Sequence, residues 1–380
     1  MKREVSPIVV VIGILGLLVA IQVVYWHKLG PTKGLVVGRG GSAGGGGGEG
    51  AEASAPEVPR GDARFMVSTV AGAPEPGYRD GSAAEARFDG PAGVAVAPSG
   101  LVYVADSRND AIRSVSPVGT VITVAGGPGR HVFSAPAGIQ VLGDGNLLVT
   151  DTGNHRLCEV TPGGAVTMFV GAETRRDELG RPSGGYRDGP AGQAQFRYPV
   201  GLAVGAEGAV YVADAGNHCV RRIANGVVST IATTNGRMDT PIAVTVGLYD
   251  NLRVTDAATG CVWAGPAAGP LVRLEQNGLR KLFAAPSGLA MAVPSELGEV
   301  SLPRDYLVAD SHSHCLYLIA DQGVTLVAGQ QGTAGLADGG GDQARFSQPA
   351  GLCAGPGGMV YVADFGNNCI RRVTLPGSSR

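Results

Sequence analysis

The chain has 380 residues, of which 44% are hydrophobic, only 16% are charged and 62 are glycine. So much glycine disfavours long helices and is typical of many short strands joined by tight turns, so the composition predicts an all-β protein. The formal net charge of −2 places no large positive field over the molecule, and nucleic acid is therefore not expected as a partner.

The N-terminal segment differs from the rest of the chain. After a short tail at 1–6, residues 7–26 contain no charge, and at about 1.5 Å per residue they could cross a membrane core of roughly 30 Å. The sequence Tyr-Trp-His-Lys follows at 25–28, an aromatic and basic boundary typical of a membrane interface. Residues 7–26 are predicted to be a transmembrane signal anchor, with a cleaved signal peptide as the alternative. The chain is then a single-pass protein of the secretory pathway or cell surface, and basic residues on both sides of the segment leave its orientation open.

Residues 27–63 are rich in glycine and include the run "GGGGG" at 44–48. Such a segment cannot bury enough apolar surface to fold, so it is predicted to be a disordered linker. The remaining residues, 64–380, are predicted to form one domain.

This domain is built from a repeat. Segments 93–115, 138–160, 201–223 and 351–373 each read as an apolar strand, a glycine-containing turn, a second strand that ends in Asp, a polar turn and a third strand. Two less regular copies occupy 243–265 and 288–319. The aspartates that end the second strands are Asp106, Asp151, Asp214, Asp256, Asp310 and Asp364. They are spaced by 45, 63, 42, 54 and 54 residues, a period that is typical of a β-propeller with several strands in each blade.

The number of blades and the closure of the ring also follow from the repeat. An apolar residue with Pro three positions later precedes every unit: Phe88/Pro91, Phe133/Pro136, Phe196/Pro199, Met238/Pro241, Phe283/Pro286 and Phe346/Pro349. A fourth strand follows every unit except the last, and an unmatched strand of the same kind, 65–72, precedes the first. We expect this strand to complete the sixth blade, because closure removes an exposed sheet edge. The predicted fold is a six-bladed β-propeller of four-stranded antiparallel blades, preceded by one transmembrane helix.

Two units carry the most regular motif, "YVADAGNHCVRRI" at 211–223 and "YVADFGNNCIRRV" at 361–373. They resemble the Asp-x-Gly-Asn-His signature of NHL repeats, and the connectors at 77–93, 185–201 and 335–351 resemble those of NHL-type propellers. The resemblance implies the propeller fold but little about chemistry, because one fold hosts many functions. Some NHL-like lyases hold zinc with histidines near the propeller axis, so the resemblance also allows a metal-dependent enzyme.

Three histidines occupy the fourth position after a blade aspartate: His155, His218 and His314. They are the candidate zinc ligands, and calcium is the other metal considered, although the loops lack the clustered carboxylates that calcium needs. The sequence favours a structural role for these histidines, and no cofactor is predicted. The six aspartates are also expected to be structural and to bond the backbone of their turns. The Asp-Gly steps at 80–81, 188–189 and 338–339 are expected to be further turns.

Function is therefore assigned to a surface. In a propeller, the turns after the second strands and the connectors between blades open on one face, where Arg79, Arg108, Arg156 and Arg187 are expected to gather with the insertion 172–192. Loops on a rigid scaffold are the usual place for recognition. The sequence therefore favours a membrane-tethered binding or scaffolding module for a protein or peptide. The alternative is a lumenal or extracellular lyase or hydrolase with its site in the central cavity.

Overall fold

The computed structural model describes residues 59–172, 180, 182–205, 207–234, 236–247, 250–267, 269–274, 282–291, 305–320 and 323–376. The prediction of a single-pass membrane protein is corrected here, because no helix in this part of the chain is long and apolar enough to cross a membrane. The tail 1–6, the proposed anchor 7–26 and linker residues 27–58 lie outside the described residues.

Six sheets follow one another along the chain, one for each repeated unit. Every innermost strand begins with proline, which is tolerated at the first residue of a strand because the missing N–H is not needed there. These first strands are Pro91–Val96, Pro136–Val141, Pro199–Val204, Pro241–Val246, Pro286–Met291 and Pro349–Gly355.

The second and third strands form the middle of each blade. Several second strands are buried along their whole length, as expected for apolar runs covered on both faces by neighbouring blades. The second strands are Val102–Asp106, Leu147–Asp151, Val210–Asp214, Asn251–Asp256, Tyr306–Asp310 and Met359–Asp364. The third strands are Ala111–Val115, Arg156–Val160, Cys219–Ala224, Cys261–Pro266, Cys315–Ala320 and Cys369–Thr374.

The fourth strand is the outermost of the four strands that the sequence predicts for each blade. The sixth blade takes its fourth strand from the start of the domain. Those of blades 1 to 5 are Thr120–Gly126, Val166–Val170, Val227–Thr230, Leu271–Arg273 and Gly323–Ala328. In blade 6, Met66–Gly72 pairs antiparallel with Cys369–Thr374, so that Met66 lies opposite Thr374 and Gly72 opposite Cys369. The N-terminal strand therefore closes the ring, as the unmatched strand in the sequence predicts.

Four blades carry a fifth strand that the sequence did not predict. The Asp-Gly steps, expected to be turns, lead into Gly81–Ser82, Gly189–Pro190 and Gly339–Gly340, which pair antiparallel with the fourth strands of blades 1, 3 and 6. Blade 4 adds Thr233–Thr234, which runs parallel to its fourth strand. Among the described residues, blades 2 and 5 have four strands.

Close backbone contact holds the inner strands of neighbouring blades together. A side chain at the third position of most inner strands would overlap a carbonyl oxygen of the next blade: Gly93, Gly138, Gly201, Gly288 and Gly351 would meet Ala137, Val200, Ile242, Ala350 and Ala92. Further out, the aromatic residues that precede the inner strands fill the space between blades. Phe88 is fully buried and packs with residues of blades 1 and 6.

Candidate functional site

The second strands end at one end of the propeller, where the connectors between blades also begin and finish; we call it the turn end. In four blades the turn is a single 3₁₀ turn: Ser107–Asn109, Thr152–Asn154, Ala215–Asn217 and Phe365–Asn367. The next residue has a left-handed backbone, with φ of 51° at Asp110, 58° at His155, 60° at His218 and 51° at Asn368. His314 in blade 5 has the same conformation, with φ of 59°.

The blade aspartates are buried and bond the chain that leads into their own blade. In blade 3, Asp214 accepts hydrogen bonds from the backbone N–H of Arg197 at 2.8 Å, from Asn217 Nδ2 at 2.8 Å and from Arg221 Nη1 at 2.9 Å. The first of these bonds recurs in all six blades, with the backbone N–H of Asp89, Ser134, Arg197, Asp239, Ala284 and Ser347 as donors. The aspartate therefore joins the second strand to the lead of the first strand, rather than only capping its own turn.

Burial changes the acidity of these carboxyl groups. It raises the pKa of Asp106 to about 6, because desolvation of the carboxylate outweighs the bonds from Asn109, from the backbone of Asp89 and from Arg113. Burial likewise raises the pKa of Asp364 to about 6. A raised carboxyl pKa in a cleft would suggest an acid catalyst. Here, however, both groups are fully buried and bonded within their own blade.

Three fully buried arginines hold the outer part of blades 1, 3 and 6: Arg113, Arg221 and Arg371. Each guanidinium joins the blade aspartate to the aspartate of the Asp-Gly step, as when Arg221 contacts Asp214 at 2.9 Å and Asp188 at 2.5 Å. The second aspartate also accepts the backbone N–H of a threonine on the fourth strand, Thr230 in blade 3. Sequence reasoning missed this Asp–Arg–Thr clamp. A constant spacing of 33 residues between the two partners, 80 to 113, 188 to 221 and 338 to 371, could have revealed it.

The other three blades have lost the clamp. Cys158, Trp263 and Tyr317 stand where blades 1, 3 and 6 have arginine. In blade 2 a different arginine takes over part of the role, because Arg156 Nε donates to Asp151 at 2.8 Å from two residues earlier on the strand. Arg156, predicted to lie on a binding face, therefore pairs with a buried carboxylate.

The three candidate metal ligands, His155, His218 and His314, each contact the backbone of the next blade. His155 Nδ1 accepts the backbone N–H of Tyr198 at 3.0 Å, and its Nε2 faces the carbonyl of Pro182 at 3.0 Å. His314 Nδ1 accepts the N–H of Gln348 at 3.0 Å. His218 Nδ1 contacts the carbonyl oxygen of Asp239.

Blades 1 and 6 make the same connection without histidine. The carboxylate of Asp110 accepts the N–H of Ala135, and the amide of Asn368 accepts that of Gly90. In blades 1, 2, 5 and 6 the side chain at position four is therefore an acceptor that ties the blade to the next one, whereas His218 in blade 3 faces a carbonyl and blade 4 has Gly260 at this position. Among the described residues, no three His, Cys, Asp or Glu side chains come together as a metal site. The structure thus leaves the three histidines apart, in three separate seams.

The cysteines beside these turns are poor nucleophiles. Burial raises the pKa of Cys158, Cys219 and Cys315 to about 12. All six cysteines are free thiols. Since the thiolate is the reactive form, the strand cysteines are suited to packing rather than to catalysis.

The arginines predicted for a binding face lie in two places. Arg108 is at the turn end, where it stacks over Phe365 at 4.7 Å and pairs with Asp89 at 3.4 Å. Arg79 and Arg187 are exposed beside the outer edges of blades 1 and 3, where their carbonyls accept bonds from the buried arginines. In the chain they stand just before the fifth strands Gly81–Ser82 and Gly189–Pro190.

Two other arginines lie near the turn of blade 3 or the strand that follows it, and sequence reasoning missed them. The stem of Arg197 lies across Gly216, where even a methyl group would overlap it. The charge of Arg237 acts on the thiol of Cys219, the first residue of the third strand of blade 3. Both arginines are exposed, and neither forms an ion pair within the described residues. The nearby carboxylate of Asp239 is 58% exposed.

Comparison with known proteins identifies the repeat. A family model described as "NHL repeat" matches residues 88–113, 133–159, 196–223 and 346–373. No curated protein matches the sequence.

Solved structures share the fold. An auxiliary nutrient binding protein from Bacteroides thetaiotaomicron is 17% identical with a TM-score of 0.63, and the match covers 82% of this chain and 76% of that one. A similar protein from Bacteroides ovatus is 17% identical with a TM-score of 0.61, over 82% and 76% of the two chains. Virginiamycin B lyase from Staphylococcus aureus is 13% identical with a TM-score of 0.54, over 82% and 99%. At these identities the likeness concerns the fold alone.

Proposed function

The chain is an NHL-repeat β-propeller, and from that premise we propose that it is a binding module for a protein or peptide segment that lies across the turn end at blade 3. The observation that carries the proposal is a pair of exposed arginines near one turn, Arg197 and Arg237, neither of which forms an ion pair within the described residues. The repeated aspartates and histidines around them are already bonded within and between blades. The side chains left for a ligand are therefore the exposed ones that differ from blade to blade.

The chemistry of these arginines favours a partner that carries carboxylates. A guanidinium presents a planar fork of donors that matches a carboxylate in two hydrogen bonds. The contact with Gly216 positions the stem of Arg197, which reduces the freedom it would lose on binding. The two Bacteroides propellers are named nutrient binding proteins, which is consistent with a binding role for a propeller of this fold.

The enzymatic alternative draws on the histidines and cysteines of the repeat. One ring nitrogen of each histidine accepts or faces a backbone group of the next blade, and within the described residues the three rings form no cluster that could hold a metal ion. The strand thiols at 158, 219 and 315 have pKa values of about 12. These assignments favour binding over a metal-dependent or thiol-dependent reaction at the repeated turns.

The test uses the full chain as bait for a displayed library of random peptides. We expect the enriched peptides to be rich in Asp and Glu, and their affinity to fall by about tenfold or more in the double variant Arg197→Glu/Arg237→Glu, since about 1.4 kcal/mol of lost attraction is a factor of ten. Arg64→Glu is the control for charge reversal away from the proposed site, because this side chain is 75% exposed, pairs with Asp62 and lies at the opposite end of the propeller.

Three results would contradict the proposal. One is a library without enrichment, and another is equal binding by the double variant and the Arg64→Glu control. The third is tighter binding of a single-stranded RNA oligonucleotide than of any selected peptide, which would point to a different class of partner.

A further inference from the structure

The outer edge of blade 2 differs from those of its sister blades. A fifth strand covers the fourth strand in blades 1, 3, 4 and 6. In blade 5, the N-terminal residues Gly61 and Asp62 donate backbone hydrogen bonds to Gly329 and Val327 at the end of the fourth strand. In blade 2, no described strand pairs with the outer edge of Val166–Val170.

The length of the connector explains why the chain entering blade 2 supplies no fifth strand to this edge. In blades 1, 3 and 6 the fifth strand comes from the connector that precedes the blade, and in blade 1 that connector has 18 residues, 73–90. The connector into blade 2 has only nine residues, 127–135, which span about 30 Å when extended. A connector that laid a fifth strand on blade 2 would run five residues down the outer edge and back, which takes about 32 Å. It would then cross three strand spacings to reach the first strand, which takes about 14 Å more. Nine residues cannot do both.

The edge of blade 2 has also lost the groups that hold a fifth strand in its sisters. Arg113 lies opposite Thr123 in blade 1, and together they bind the carboxylate of Asp80. In blade 2 the corresponding pair is Cys158 opposite Met168. A segment with a carboxylate would find no partner there, and an uncharged apolar segment fits instead.

The strand at this edge is itself such a segment. Residues 160–172, "VTPGGAVTMFVGA", contain no charge, and Met168 and Phe169 are 54% and 38% exposed. Natural edge strands usually carry lysine, proline or a bulge that prevents pairing with another chain. The residues from Val166 to Val170 contain no lysine and no proline, and their one register shift lies after Met168.

We propose that this edge is a self-association surface, at which Val166–Val170 of one copy pairs antiparallel with the same strand of a second copy. An antiparallel pair of identical strands is compatible with a two-fold axis, so that one surface patch serves both copies. Pairing covers Met168 and Phe169 and removes no charge from water. Pairing along a five-residue edge buries much less surface than a standard interface, which buries about 1,600 Å². The dimer is therefore reversible and depends on concentration.

The test compares two lysine substitutions by sedimentation velocity of the full chain over a wide range of concentration. Met168→Lys places a charge in the proposed contact, whereas Ile122→Lys places one at an equally exposed position on the fourth strand of blade 1. The edge beside Ile122 is already covered by Gly81–Ser82. Both variants keep the same N-terminal residues, so any association through those residues is common to them.

We expect the wild type and Ile122→Lys to dimerise with equal affinity, and Met168→Lys to dimerise at least tenfold more weakly with an unchanged circular dichroism spectrum. Hydrogen exchange gives a second readout, because dilution of the wild type should speed the exchange of the backbone amides at 166–170. A wild type that stays monomeric at every concentration overturns the proposal. Equal dimerisation of the two lysine variants also overturns it, and so does exchange at 166–170 that does not respond to dilution.

Discussion

In blades 2 and 3 an arginine on the third strand neutralises the buried blade aspartate, and a cysteine lies two residues away from it. The order of the two residues is reversed between the blades. Blade 2 reads Arg-Leu-Cys at 156–158, and its arginine donates to Asp151 at 2.8 Å. Blade 3 reads Cys-Val-Arg at 219–221, and its arginine donates to Asp214 at 2.9 Å. We predict that blade 3 accepts the order of blade 2, so that exchanging the two residues rescues the loss of the arginine.

The single substitution Arg221→Cys should be severe. It leaves the buried carboxylate of Asp214 with only Asn217 and one backbone N–H as donors. It also removes the donor that bonds the carbonyls of Arg187 and Gln195. Removing one partner of a buried ion pair typically costs about 3–5 kcal/mol, and we expect a loss of that size in the free energy of unfolding.

The second substitution, Cys219→Arg, should restore about 2 kcal/mol of that loss, because it supplies a guanidinium to Asp214 from the position that Arg156 uses in blade 2. The recovery stays incomplete, since Asp188 loses its arginine and the carbonyls of Arg187 and Gln195 lose their donor. That carboxylate is 44% exposed, so its share is about 1 kcal/mol or less. In the background of Arg221, Cys219→Arg should stabilise nothing, because Asp214 is already paired.

Urea unfolding of the wild type, the two single variants and the double variant measures the coupling between positions 219 and 221. A double variant that is no more stable than Arg221→Cys would refute the reasoning. It would mean that the loss comes from packing of the long side chain between Tyr186 and Phe196, rather than from the carboxylate it neutralises.

Three further predictions concern single positions. Burial lowers the pKa of His155 below its ordinary value of 6.5, so its contribution to stability is complete above pH 6.5 and is lost as the pH falls through the folded pKa. In urea unfolding at pH 8 and pH 5, the His155→Asn variant should lose less stability at the lower pH than the wild type does. The asparagine should keep the bond between blades, as Asn368 does in blade 6. A pH dependence of stability equal to that of the wild type would contradict the assignment. With pKa values of about 12, only roughly one in 10⁴ of the Cys158 and Cys315 thiols is ionised at pH 8, so Ellman's reagent should modify them only after unfolding. Rapid labelling in the native protein would show them to be accessible. Gly288→Ala should destabilise by about 1–3 kcal/mol through overlap with the next blade, whereas Gly192→Ala, with open space around it, should change little in thermal unfolding.

Most of the architecture could be predicted from the sequence because it depends on local periodicity. The aspartates that end the second strands and the prolines that begin the first strands recur with each unit, so the six blades could be counted directly. The unmatched strand before the first blade predicted the closure of the ring, and its pairing with Cys369–Thr374 confirms it. These features need only the chain order and the pattern of apolar residues.

The site could be predicted less well, because its bonds join residues that are far apart in the sequence. The partner of His155 is the backbone of Tyr198 in the next blade, 43 residues away. Position four could therefore be recognised as a repeated turn residue but not as an acceptor between blades. Arg197 and Arg237 belong to no repeated motif, and their common proximity to the blade 3 turn and the strand that follows it appears only in the folded structure.

The sequence by itself determined how many blades there are, where the first, second and third strands of each blade lie and which strand closes the ring, because side-chain alternation and turn chemistry act over a few residues. Only the tertiary structure decided what the repeated polar residues do. Each blade shows its two faces to different neighbours, so a histidine, an aspartate or an arginine takes its role from a partner in the next blade or the preceding connector. The same packing decided that one outer edge, at Val166–Val170, has no described partner strand, because nine connecting residues are too few to cover it.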